Sequence, residues 1–167
     1  MERVNAILRC STFVEALERT VELEVDRQFC KHGLEHFLDV ARIAYILYLE
    51  ANNDSEYRTP NSELTKELFY AAAILHDIGR ARQYEDGTPH EQESAKIAAK
   101  LLPECGFDNY ETAMILDAIL SHRTASDGER TAFAQTIYRA DKLSRNCTDC
   151  ARSDVCDWPM KNERLEY

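Results

Sequence analysis

The sequence predicts an all-α protein, a single compact helical bundle, and three observations carry that expectation. Apolar residues recur at spacings of three and four along successive stretches, and no polar–apolar alternation persists long enough to make a sheet. Glycine and proline are sparse, five and four in 167 residues, and they fall at the breaks between those stretches. The composition, 44% apolar and 30% charged, suits one folded domain with a sizeable core.

The N-terminal residues 1–28 form a helical extension whose Val4, Ile7 and Leu8 pack against the bundle or a second subunit. A long helix is expected over about His32 to Ala51, with Val40, Ile43, Ala44 and Leu47 as its inward stripe, and "ANNDSEYRTPNS" ends it. The next follows Asn61, carries Leu64, Leu68, Ala71 and Leu75 inward, and stops at Gly79. Thr88-Pro89-His90-Glu91 has the form of a capping box opening a helix that ends near Pro103. Asp108-Asn109-Tyr110-Glu111 opens another, reaching about Arg123. A last helix covers about Thr131 to Arg145, followed by an irregular cysteine-containing tail, residues 146–167, packed on the domain.

Thirty acidic against twenty basic residues give a net charge of −10. That argues against the large phosphate-backbone footprint of a protein that binds long nucleic acids, but not against a small phosphorylated ligand in a locally positive pocket. No apolar run is long enough to span a bilayer, and the N-terminus lacks the apolar core of a signal peptide. The expectation is a cytoplasmic protein. Oligomeric state is left open.

The stretch "AAAILHDIGRARQ", Ala71 to Gln83, raises a chemical question, because an apolar run ends in an adjacent imidazole and carboxylate. Helical spacing turns other such groups inward. His36 shares the stripe of Val40 and Ile43, with His32 one turn earlier. His90 aligns with Ser94, Ile97 and Leu101, and His122 with Ile115 and Ile119. Asp141 lies one turn beyond Ile137, in a helix with Phe133 and Ala134 on its apolar face. A lone buried histidine is ordinarily a hydrogen-bonded core residue. Several such groups on different inward faces are better satisfied together by a shared metal, since a buried carboxylate is costly unless paired or coordinated. Imidazole and carboxylate donors suit Fe, Mn, Co, Ni or Zn, with Mg an option where carboxylates dominate.

The order His36, His76-Asp77, Asp141, set in "HFLDVARIA", "AAILHDIGR" and "YRADKLSR", resembles the HD-domain superfamily of metal-dependent phosphohydrolases over about residues 29–145. The resemblance implies that His36, His76, Asp77 and Asp141 ligate a catalytic divalent metal that activates water and polarises a phosphoryl oxygen. Asp77 then either bridges two metals or orients the water. His90 and His122 stand where dinuclear members hold a second metal; the rival reading places them on substrate phosphate beside one metal. Lys142 and Arg80 are candidates to neutralise phosphate charge, with Arg82 and Arg123 weaker ones and Glu91 a possible proton-transfer group. His32 is either a partner behind the ligands or a helix-start residue.

Cys147, Cys150 and Cys156 form a C-x2-C-x5-C cluster, three ligands where zinc or an iron–sulfur centre takes four. Cys30 is the candidate fourth, since it lies as far before His36 as Cys147 lies after Asp141. Reduced structural thiols are the competing reading. Cys10 and Cys105 read as small apolar fillers.

The leading functional expectation is hydrolysis of a phosphate ester of a nucleotide or other small metabolite. Two other classes fit the residues: a di-iron oxygenase on the same scaffold, and a non-catalytic ligand-sensing module.

Overall fold

The computed structural model describes residues 1–53, 64–123, 130–158 and 161. Among them are eight helices and no strand: α1 (Glu2–Arg9), α2 (Ser11–Leu23), α3 (Leu34–Asn53), α4 (Lys66–Leu75), α5 (Arg80–Asp86), α6 (His90–Glu104), α7 (Asn109–Ser121) and α8 (Ala132–Leu143).

The run that opened the question lies at the centre. In α4 the seven residues Leu68, Phe69, Ala71, Ala72, Ala73, Ile74 and Leu75 are buried. A helix that is apolar all round belongs inside, and its three alanines let neighbours come close on several sides. Helices α3, α7 and α8 pack against it. Phe69 anchors the aromatic part of the core, with its ring centroid 4.9 Å from that of Tyr48 and 5.0 Å from that of Phe133.

The N-terminal extension closes one side. Val4 and Ile7 are buried and Leu8 is partly buried against the same core, so this apolar face is used within the chain. Arg3 fastens α1 by reaching Glu67 Oε2 at 2.7 Å and Glu111 Oε2 at 2.6 Å, with its guanidinium 4.3 Å from the Phe107 ring centroid. Cys10 and Cys105 sit half-buried on the core as expected.

Several elements differ from the sequence expectation. The α4 helix stops at Leu75, and Gly79, expected to end it, opens the separate helix α5. A Cβ on Gly79 would lie 2.5 Å from Ser94 N and 2.7 Å from His90 O, so the residue is a contact with α6 rather than a helix stop. Thr88 does not cap α6. Pro89 holds the N-cap position without a side-chain cap, while the Thr88 N–H donates to Asp86 Oδ1. The Asp108 capping box is present in full, with its side chain and that of Glu111 serving each other's backbone N–H groups. His32 lies before α3 rather than on its inward stripe. The α6 helix includes Pro103, and α8 ends at Leu143. Residues 61–63, where the α4 helix was expected to begin, and 162–167 of the tail lie outside the described residues.

Candidate metal centre

The six histidines and aspartates singled out in the sequence converge at one place. His36 comes from α3, His76 and Asp77 from the turn after α4, His90 from the first position of α6, His122 from the end of α7, and Asp141 from the last turn of α8. They form two groups, His36–His76–Asp141 and Asp77–His90–His122. Within each, one ligand atom per residue lies inside 4.8 Å of the others, a separation one metal ion can span.

Local structure aims the rings. His76 and His122 are C-cap residues, and each turns its Nδ1 back onto the carbonyl three residues earlier, at 2.6 Å from Ala73 O and 2.5 Å from Ile119 O. Helix ends leave such carbonyls without backbone partners, so one bond satisfies the helix and fixes the ring. His90 Nδ1 is held by Gln83 Oε1 of α5. His36 Nδ1 lies 3.2 Å from Ser144 Oγ, whose own hydroxyl donates to Asp141 O at 2.7 Å. With Nδ1 protonated on an acceptor, each ring presents the Nε2 lone pair inward, the arrangement metal-binding histidines use.

Those lone pairs face one another and the carboxylates. Asp77 Oδ1 is 2.9 Å from His90 Nε2 and 3.4 Å from His122 Nε2, and those two nitrogens are 3.1 Å apart. Asp77 Oδ2 is 3.5 Å from His76 Nε2 and 4.0 Å from His36 Nε2. Asp141 Oδ1 lies 3.5 Å from His36 Nε2 and 3.7 Å from His76 Nε2. His36 Nε2, His76 Nε2 and Asp77 Oδ1 are buried without an aligned hydrogen bond. Buried polar atoms are ordinarily paired, and a divalent cation at each of the two groups would supply what these atoms lack. The donor set of four imidazoles and two carboxylates fits such an ion.

The electrostatics agree. Burial pushes His36 down to about 2 and His90 down to about 4, so both rings are neutral and free to ligate. For His76, burial is outweighed by Asp77 and Asp141, which draw its pKa upward; positive charge is favoured between those carboxylates. Burial opposes ionisation of Asp77 and Asp141, but His76 and Arg80 hold Asp77 ionised, and His76, Arg145 and Lys142 hold Asp141 ionised, both well below the ordinary range.

The other expected residues are also placed. Arg80 Nη2 contacts Asp77 Oδ2 at 3.0 Å, and its Nε is a buried donor without a hydrogen-bond partner. Lys142 Nζ reaches Asp141 Oδ2 at 2.5 Å. Both line a cavity of about 280 Å³ over the centre, as does Arg123. Arg82 pairs instead with Asp86. Glu91 faces His90 on the Nδ1 side, 3.7 Å away, and is 3.5 Å from Arg123, so it supports the ring from behind. His32, nearly fully buried, stands behind Asp77, with Nε2 3.7 Å from Oδ2.

The cysteine expectation is not met. Cys30, Cys147, Cys150 and Cys156 form no disulfide, and among the described residues no set of three or more groups at metal-binding spacing includes any of them. The tail after α8 does not run as a continuing helix that would carry its thiols past Cys30. Cys30, Cys147 and Cys156 line the cavity instead.

Sequence reasoning missed Glu24, Gln83, Ser144 and Arg145. Arg145 had a signal, one helical turn after Asp141, which its Nη2 reaches at 3.2 Å. Ser144 had a weaker one in the same turn. Glu24 and Gln83 had none, since they act across helices.

Residues 33–146 match the family model of the HD domain. An uncharacterized protein of Clostridium beijerinckii is 43% identical over the whole of both chains. A Ribonuclease Y of Enterococcus faecalis is 28% identical over 80% of this chain, and a bifunctional uridylyltransferase/uridylyl-removing enzyme of Bradyrhizobium is 25% identical over 75%. The chain spans only 22% and 14% of the length of those two proteins. Among solved structures, a predicted HD superfamily hydrolase from an uncultured Thermotogales bacterium superposes with a TM-score of 0.56 at 26% identity, over 86% of this chain and 74% of that one.

Proposed function

Because the chain belongs to the HD-domain family, we propose that it is a metal-dependent phosphohydrolase, cleaving a phosphate ester of a nucleotide or another small metabolite with an activated water. The observation that carries this reading is Asp77. One of its oxygens faces His90 and His122 while the other faces His36 and His76, as a carboxylate shared by two ions would.

In this reading His36, His76 and Asp141 would hold one ion and Asp77, His90 and His122 the other, with the second oxygen of Asp77 turned toward the first group. The 3.1 Å approach of His90 Nε2 to His122 Nε2 beside Asp77 Oδ1 favours a second ion there over a phosphate, which would set negative charge against that carboxylate. Four imidazoles favour Fe, Mn, Co, Ni or Zn over Mg. Ions so held supply Lewis-acid activation of water and of the phosphoryl oxygen.

The chain's own side chains do the rest. Lys142 and Arg80 are fixed by ion pairs to Asp141 and Asp77, so they need no rearrangement to meet negative charge developing on phosphate. Arg80 Nε is an uncommitted donor for a phosphoryl oxygen. Arg145, paired with Asp141 Oδ1, lines the same cavity and adds a third cation there. The cavity suits a small ester, and the acidic chain disfavours a long polynucleotide. The names Ribonuclease Y and uridylyl-removing enzyme favour a nucleotide as the group cleaved.

The test is metal-depleted protein reconstituted singly with Mn, Fe, Co, Ni, Zn and Mg and assayed on nucleotide mono- and diesters. Turnover that needs the metal and is lost in Asp77→Ala supports the reading. Two irons with oxygen consumption and no ester cleavage replace it with oxygenase chemistry. Ligand binding with no turnover under any metal makes the domain a sensing module.

A further inference from the structure

The cavity over the metal centre has walls that the family match does not supply. That match covers residues 33–146, whereas Arg27, Phe29, Cys30 and His32 line the cavity from before it, and Cys147, Cys156 and Trp158 from after it. The two flanking segments are joined to each other, since Arg152 Nη2 donates to Gln28 Oε1. The part of the cavity built by this chain's flanks is therefore one wall assembled from both ends.

Its chemistry is aromatic and cationic. Phe29 and Trp158 are 44% and 43% exposed, so two of the rings that line the cavity stand partly uncovered. Five cationic side chains, Arg27, Arg80, Arg123, Lys142 and Arg145, line the same cavity in a chain of net charge −10. Lys142 connects the two features: its Nζ is 5.6 Å from the Trp158 ring centroid and 2.5 Å from Asp141 Oδ2. A ligand that is flat and aromatic at one end and anionic at the other fits both.

We propose that Trp158 is the platform on which the base of a 5′-nucleotide stacks, with its phosphate directed to the metal centre, and that the flanking wall confers selectivity for nucleotides over plain sugar phosphates. Stacking of a base on an aromatic side chain tolerates any base, because each has a π-face; the platform selects for a base without choosing among bases. This inference rests on the phosphoester reading for the direction of the phosphate, but base binding can be measured without turnover.

The chain contains one tryptophan, so its fluorescence reports this platform alone. Metal-loaded full-length protein is mixed with adenosine 5′-monophosphate or with ribose 5-phosphate, and emission is read immediately. Dissociation constants are measured by calorimetry for wild type, Trp158→Ala and Trp158→Phe. The expected result is quenching by the nucleotide only. Trp158→Ala weakens nucleotide binding by about 5- to 150-fold, the span of one base–aromatic stack, leaves ribose 5-phosphate within about twofold, and Trp158→Phe regains most of the loss. Because Trp158 is half exposed, its removal spares the core. Equal binding of both ligands without quenching, or an equal loss for both in Trp158→Ala, overturns the platform even if esters are hydrolysed. Selective quenching with no hydrolysis upholds the platform and removes the hydrolase reading instead.

Discussion

Glu24 holds His32 at two points. Its Oε2 accepts the His32 backbone N–H at 2.7 Å, and its Oε1 lies 2.5 Å from His32 Nδ1. The Tyr84 hydroxyl donates to the same Oε1. His32 Nε2 is thereby set 3.7 Å from Asp77 Oδ2. A residue at the end of α2 thus reaches the candidate metal centre through one histidine.

That contact predicts an acid-sensitive component of stability. Burial alone would raise the Glu24 pKa, but His32 and Tyr84 hold it down to about 2, against an ordinary 4.5. A carboxylate depressed in the folded state stabilises the protein above its unfolded value, and that contribution is lost as pH falls from about 4.5 to about 2. Tyr84→Phe removes one of the two side-chain donors, so its acid-unfolding midpoint, followed by circular dichroism, is expected at higher pH than that of wild type. Coincident acid transitions would show that Tyr84 leaves Glu24 unshifted.

Asp77 facing both histidine groups predicts unequal metal losses. Elemental analysis should find two ions per chain in reconstituted wild type, one in His122→Ala, and none in Asp77→Ala. Loss of both ions in His122→Ala would mean that the two groups bind as one site.

Gly79 sits against α6 with no room for a methyl group, since Glu93 Cβ would lie 2.8 Å from it and backbone atoms nearer still. Gly79→Ala is expected to destabilise the fold by about 1–3 kcal/mol in urea denaturation, the usual range for overpacking. It should also weaken metal binding, because the turn carrying Asp77 and the helix carrying His90 are pushed apart. A stable variant with unaltered affinity would refute the close approach.

Lys142 contacts a carboxylate of the candidate site without offering a metal a lone pair while it is charged. Lys142→Met is expected to lower kcat by about 10²-fold, the order seen when one fixed stabiliser of transition-state charge is removed, with metal content unchanged. Loss of metal in that variant would make the lysine a support for Asp141 instead.

Much of the centre was legible because the signal was local. His36, Asp141 and the histidines of α6 and α7 each sat on a helical face whose other members were apolar, and periodicity alone turns such residues inward. The Asp108 capping box was readable for the same reason, as its partners lie within one turn. The α5 helix was not readable, because a glycine that ends a helix and one that lets two helices touch look alike in sequence. The cysteine pairing failed on similar ground: equal offsets from two ligands bring thiols together only if the helices continue past them, and neither segment does.

The sequence by itself determined the helical class, the inward faces and the stock of imidazoles and carboxylates, because side-chain direction along a helix follows from 3.6 residues per turn. Only the tertiary structure decided how that stock divides into two groups, that Asp77 faces both, and that Glu24 stands behind His32. Those relations are distances between separate segments of the chain, fixed by how the helices and the turns between them pack, and no spacing within a single helix encodes them.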